Sequence, residues 1–102
     1  MRDEAFKLWM KNLGTMSTRP IGDAVSRCRR IEKGLKLDLD EEYRKGGGRS
    51  VVSALEYTAE DAKINRPVPS GLDFTPGANL KDGMASLKAA AKKYFEFCQF
   101  TK

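Results

Sequence analysis

A chain of 102 residues, 32% charged and 40% apolar, suits one soluble domain that buries roughly two-thirds of its unfolded surface without disulfides or metal. Nineteen Lys and Arg against fourteen Asp and Glu leave a net charge of +5, a balance that favours a polyanionic partner. With no histidine and only two cysteines, His-based acid–base catalysis, Ser-His and Cys-His nucleophile pairs and a Cys/His structural zinc site are excluded.

The opening Met1-Arg2-Asp3-Glu4 is too acidic for a signal peptide, and no apolar run approaches the roughly 18–20 residues of a membrane span. A cytoplasmic protein without membrane contact is therefore expected. Phe6, Trp9, Met10 and Leu13 recur at three and four, which predicts an amphipathic helix over 3–13. Asp3 and Glu4 favour its positive end, and Gly14 offers a left-handed stop.

A polar connection, Thr15 to Thr18, leads to a second helix from Pro20, whose missing N–H is tolerated in a first turn. Ile21, Ala24, Val25, Cys28, Ile31 and Leu35 mark its inner face, and Gly34 suits its end. Between 36 and 48 the pattern weakens. Asp40 to Lys45 can make one or two helical turns before Gly46-Gly47-Gly48 breaks the chain. Ser50 is the expected N-cap of a short helix carrying Val51, Val52, Ala54 and Leu55. Thr58 and Asp61 have capping-box spacing, pointing to another short helix over 59–64.

Three of the four prolines and two glycines fall between Asn65 and Asn79, so an ordered loop anchored by Val68, Leu72 and Phe74 is expected there. Leu80, Met84, Leu87, Ala91, Tyr94, Phe95 and Cys98 then trace one face of a long final helix. The expected fold is all-α: a single-domain helical bundle over 1–102 with three main helices, short helical turns, a Pro-rich loop, and a loop-rich insertion over 36–79.

The surface of the second helix is the most informative part. Arg27, Arg29, Arg30 and Lys33, with Lys36 beyond, face a single acid, Glu32. Arg27, Arg30 and Lys33 can form a row on one flank, with Arg29 on another. Such a row suits the phosphates of a nucleic acid, and it also suits a solvated face near a helix C-terminus. Lys88, Lys92 and Lys93 make a second cluster beside the small Ala89, Ala90 and Ala91; solubilising lysines are the plainer reading.

Gly46-Gly47-Gly48-Arg49 lacks phosphate-loop spacing, and a turn explains it better, with Arg49 able to clamp a phosphate if DNA is bound. Asp38, Asp40, Glu41 and Glu42 do not follow calcium-loop spacing and read as helix-start acids. Cys28 and Cys98 read as buried thiols. Trp9 and Phe95 have core spacing. Phe97 and Phe100 fall off the main stripe, where a partner, a terminal extension or a second copy can meet them.

Three segments together resemble the SAM-like N-terminal core-binding domain of tyrosine recombinases and phage integrases, which also occurs at the front of some mobile-element and restriction-type proteins. Phe6-Lys7-Leu8-Trp9-Met10 is similar to that family's Phe-x-x-Trp-Leu helix. Met16 to Ala24 is similar to its Leu-Ser-x-x-Thr-Ile-x-x-Tyr segment, with Ser17 and Ile21 in place but Pro20 for Thr and Ala24 for Tyr. Residues 85–97 look like its final helix. The resemblance implies half of a clamp around duplex DNA, with Ser17, Thr18, Arg19, Arg27, Arg30, Lys88 and Lys92 at phosphates or groove. It brings none of the family's recombination chemistry, whose catalytic Arg, His and Tyr belong to a separate domain.

The expected function is therefore non-catalytic binding of double-stranded DNA, mainly through phosphates, with no cofactor and no metal. The residues expected to carry it are Ser17, Thr18, Arg19, Arg27, Arg29, Arg30, Lys33, Arg49, Lys88, Lys92 and Lys93. The alternative is a protein-interaction module or phage-encoded inhibitor. In either case Phe97 and Phe100 are the expected contacts to a catalytic domain or protein partner.

Overall fold

Apolar residues recurring at three and four along two long stretches demand that each stretch coil and bury one side, and the two sides meet. In the computed structural model, which describes residues 1–72, 74, 77 and 79–101, these stretches are α2 (Thr18–Leu35) and α6 (Leu80–Phe100), packed against each other. The remaining elements are α1 (Asp3–Asn12), α3 (Leu39–Gly46), α4 (Arg49–Ala54), α5 (Ala59–Lys63) and a 3-10 turn (Ser70–Leu72). No strand occurs among the described residues, so the chain is an all-α bundle. None of its helices among those residues is long and apolar enough to cross a membrane.

Ile21, Ala24, Val25, Cys28 and Ile31 of α2 face Met84, Leu87, Ala90, Ala91, Tyr94 and Cys98 of α6 across the core. Phe6 and Met10 of α1 close one end, both fully buried. The stretch 36–79, expected as a loop-rich insertion, carries α3, α4, α5 and the 3-10 turn. It supplies Leu39, Val51, Leu55, Tyr57 and Leu72 to the same core. Within its loop, Leu72 is fully buried and Val68 and Phe74 pack partly buried against the core; Asp73, Thr75, Pro76 and Ala78 lie outside the described residues.

Local chemistry explains most of the ends. Gly14 takes the left-handed conformation (φ +71°) after α1. The Asp38 carboxylate accepts from the Glu41 amide at 3.1 Å, capping α3, and Asp40, Glu41 and Glu42 fill its first turn. Thr58 and Asp61 form both halves of a capping box on α5. Among the described residues no group of three or more acids or thiols could hold a metal.

Three expectations need correction. The second helix starts at Thr18, two residues before Pro20, because Ser17 is extended (φ −83°, ψ 172°) and leaves Pro20 inside the first turn, where its lack of N–H costs nothing. The same helix runs through Gly34, and Lys36 takes the left-handed position instead (φ +54°). Gly34 serves close packing: a Cβ there would lie 2.8 Å from the Gly71 carbonyl oxygen and from Leu72 Cδ2. Ser50 is not a cap. Gly48 holds that place at φ +82°, pressed against the Phe95 ring where no side chain fits, and Ser50 lies inside α4.

A polar cluster with no local sequence signal ties the chain start to α3 and α6. The Tyr94 hydroxyl donates to Asp40 Oδ1 at 2.7 Å and accepts from the Arg2 amide at 2.9 Å. The Arg2 guanidinium grips the same carboxylate at 3.1–3.2 Å. The Met1 ammonium lies 3.1 Å from Glu32, whose other contact is the Leu39 amide at 2.9 Å. Partial burial opposes the charge on Asp40, but the hydrogen bonds from Tyr94 and Arg2 and the Arg2 charge outweigh it and pull its pKa below the usual carboxylate value.

A carboxylate whose folded pKa is depressed stabilises the fold above its unfolded pKa and ceases to do so as pH falls through the folded value. Asp40→Asn should therefore lower the unfolding free energy by about 1 kcal/mol at pH 7 in a partly solvated site. In urea titrations the gap between variant and parent should close once the pH has fallen well below the usual carboxylate range. A gap that stays constant down to that pH would show that the charge of Asp40 contributes nothing.

Candidate nucleic-acid interface

The α2–α6 pairing leaves an open groove of about 540 Å³ between the outer flanks of the two helices. Its floor is the buried Ala24 of α2 and Ala90 of α6, flanked by the exposed Pro20 and Ala89, with Met16 also in its lining. Its rims carry Arg27 from α2 and Ser86, Lys92, Lys93 and Glu96 from α6. Helical spacing accounts for this. Arg27 lies seven residues after Pro20 and three after Ala24, while Lys93 and Glu96 follow Ala89 by four and seven, so each set shares one flank.

Arg27 and Lys92 are the cations this groove leaves without a carboxylate: among the described residues neither has an ion-pair partner. Lys93 is 3.8 Å from Glu96 and lies over the Trp9 ring at 5.8 Å. Arg19 is exposed two turns before Arg27, again without an ion-pair partner among the described residues, and Asp23 stands one turn from each on α2. The face is cationic but not purely so.

The other expected residues are distributed differently, and the expected row of Arg27, Arg30 and Lys33 is divided. Arg30 turns to the 3-10 segment, where Nε donates to the Leu72 carbonyl at 3.0 Å, Nη2 donates to the same oxygen, and the guanidinium covers the Phe74 ring at 4.6 Å. Lys33 is exposed near the end of α2. Arg29 is held by Asp3 of α1, with Nε 2.6 Å from the carboxylate. Lys88 pairs with Glu56. Arg49 donates to the Gly46 carbonyl at 3.2 Å, closing the glycine turn. Ser17 and Thr18 line a separate groove between α1 and α2, with Lys7, Leu8 and Lys11.

Phe97 is not a surface residue. It is 1% exposed, within 5.3–5.8 Å (centroid to centroid) of Tyr94, Phe6 and Trp9, and the Arg2 guanidinium caps its ring at 4.8 Å. The final helix buries a wider arc than its main stripe suggested, because α1 lies over that flank. Phe100 is 70% exposed and stacks on Trp9 at 6.2 Å. That Trp9–Phe100 contact escaped the sequence reading, since the two rings are 91 residues apart and neither periodicity reveals the other.

Both thiols are buried and free. Cys28 donates to the Ala90 carbonyl at 3.4 Å, and burial, then the nearby Glu32 and Asp3 charges, push its pKa up to about 12. Burial, then the Asp40 charge, raises Cys98 to about 11. Neither is a nucleophile at neutral pH.

No family model matches this chain, and no curated protein or solved structure matches it significantly.

Proposed function

We propose that this protein is a non-catalytic DNA-binding domain that holds duplex DNA through backbone phosphates along the α2–α6 groove. One observation carries the reading: Arg27 and Lys92, 65 residues apart in the chain and both without a carboxylate partner among the described residues, line one groove with a floor of small side chains. A small-residue floor lets a sugar–phosphate backbone approach, and cations on both rims neutralise it with release of counterions. Arg19 extends the contact along α2. The partial likeness to the core-binding domain of tyrosine recombinases agrees with a DNA-facing role for these two helices, and buried free thiols suit the reducing cytoplasm.

DNA affinity measured across a salt series tests this. With Arg19, Arg27 and Lys92 each neutralising a phosphate, log K should fall against log salt with a slope of about −2.7. Arg27→Gln and Lys92→Gln should each reduce that slope by about one, and the double charge reversal Arg27→Glu/Lys92→Glu should abolish binding. Arg29→Gln and Lys88→Gln remove cations already held by Asp3 and Glu56, and should leave the slope unchanged. Equal effects from all four neutralisations, or no salt dependence at all, would refute the groove as the contact surface.

A further inference from the structure

The groove does not end at Glu96. On α6, Ala89, Lys93, Glu96 and Phe100 follow one another at four, three and four residues, a single strip that carries the groove wall on to the exposed Phe100 ring. From Ala89 to Phe100 this strip runs about 16 Å at 1.5 Å per residue, roughly the rise of four to five stacked nucleotides at 3.4 Å each. Trp9 lies beneath Phe100, with ring planes 29° apart, and the Lys93 ammonium lies over the indole. Trp9 in turn rests on Phe97 at 5.8 Å and Phe6 at 6.4 Å, both buried. The outer ring therefore sits on a row of aromatics anchored in the core, with most of its surface open.

Resting on the groove reading above, we propose that Phe100, backed by Trp9, is a stacking platform for an unpaired base, so that the preferred ligand is duplex DNA with a single-stranded end or flank rather than continuous duplex. Bases inside a duplex have no free face to offer, whereas a splayed or terminal base does, and an aromatic ring beside a cationic track binds it without regard to sequence. Charge identifies the occupant. Lys93 is already paired with Glu96 on this strip, but an apolar protein partner would leave Lys92 beside it without an anion, while a nucleotide supplies both the ring for Phe100 and a phosphate for Lys92.

Trp9 is the only tryptophan in the chain, so its fluorescence reports this site alone. Three ligands separate the contributions: a blunt duplex, the same duplex with a five-nucleotide overhang, and that duplex with an abasic overhang that keeps the phosphates and removes the bases. The overhang should bind about tenfold more tightly than the blunt duplex and quench Trp9. The abasic overhang should show neither effect. Phe100→Ala should remove the tenfold gain, and Phe100→Tyr should preserve it.

An equal gain from the abasic overhang, or a gain that survives Phe100→Ala, would overturn the platform. Self-association that Phe100→Ala dissolves, or binding of the overhang without any change at Trp9, would overturn it as well. The groove reading fails separately. Steep salt dependence on blunt duplex with no overhang gain leaves the groove and removes the platform, whereas Trp9 quenching by a free single strand with no blunt-duplex binding does the reverse.

Discussion

Phe97→Ala is expected to lose about 3–5 kcal/mol of unfolding free energy, the range for emptying a fully buried aromatic site. The ring is 1% exposed and meets Phe6, Trp9 and Tyr94 at once, so its removal leaves a void at the junction of α1 and α6 that three rigid rings cannot jointly fill. For a domain whose whole stability is on the order of 5–15 kcal/mol, that is about a fifth of the total or more. At about 4–8 °C per kcal/mol, the midpoint of thermal unfolding should drop by 12 °C or more in this approximate scale. Phe100→Ala, three residues on, should shift it by no more than about 4 °C, because the ring is 70% exposed and gives up only its contact with Trp9. Calorimetry on the two variants checks the pair. Similar midpoints would mean that Phe97 is not the core residue its surroundings make it.

This contrast also shows where the sequence was legible. Periodicity identified α1, α2 and α6 and nearly all of their inward residues, because one helix face must be apolar whatever packs on it. Capping chemistry gave α5 through Thr58 and Asp61, a signal contained in four residues. What periodicity cannot give is the identity of the neighbour. Phe97 sits beside the stripe, and only the position of α1 decides whether that flank is covered. Gly34 looked like a helix end because glycine ends helices, yet its role is set by Gly71, 37 residues away.

The basic residues divide along the same line. Their type and clustering were plain, and the convergence of Arg27 with Lys92 follows from pairing α2 with α6. Which cations are already occupied was not readable, since Asp3, Glu56 and the Leu72 carbonyl reach Arg29, Lys88 and Arg30 from other parts of the chain. Nor was the cluster of Arg2, Asp40 and Tyr94, joined across separations of 38, 54 and 92 residues.

The second large effect is expected at Gly71. A Cβ there would run into the Gly34 carbonyl, and since both atoms belong to backbone, neither can swing aside. Gly71→Ala must push the 3-10 turn off the end of α2, which draws Leu72 out of the core and strips the Leu72 carbonyl from Arg30. A cost of about 2–3 kcal/mol follows from the overpacking and the lost charge-assisted bond. Gly34→Ala meets the same contact from the other side and should cost about as much. Combined, the two should cost less than their sum, because one displacement relieves both clashes.

Gly22→Ala supplies the opposite sign from the same chemical change. Nothing lies within 4 Å of a Cβ at Gly22 in the first half of α2, so alanine should stabilise by about 0.5–1 kcal/mol through helix propensity and a less flexible unfolded chain. Urea midpoints of the four variants measure all of these. Losses at positions 34 and 71 with a gain at 22 would establish that the two glycines let the 3-10 turn seat against the end of α2. Gly71→Ala and Gly22→Ala behaving alike would mean that the α2 end and the 3-10 turn do not touch.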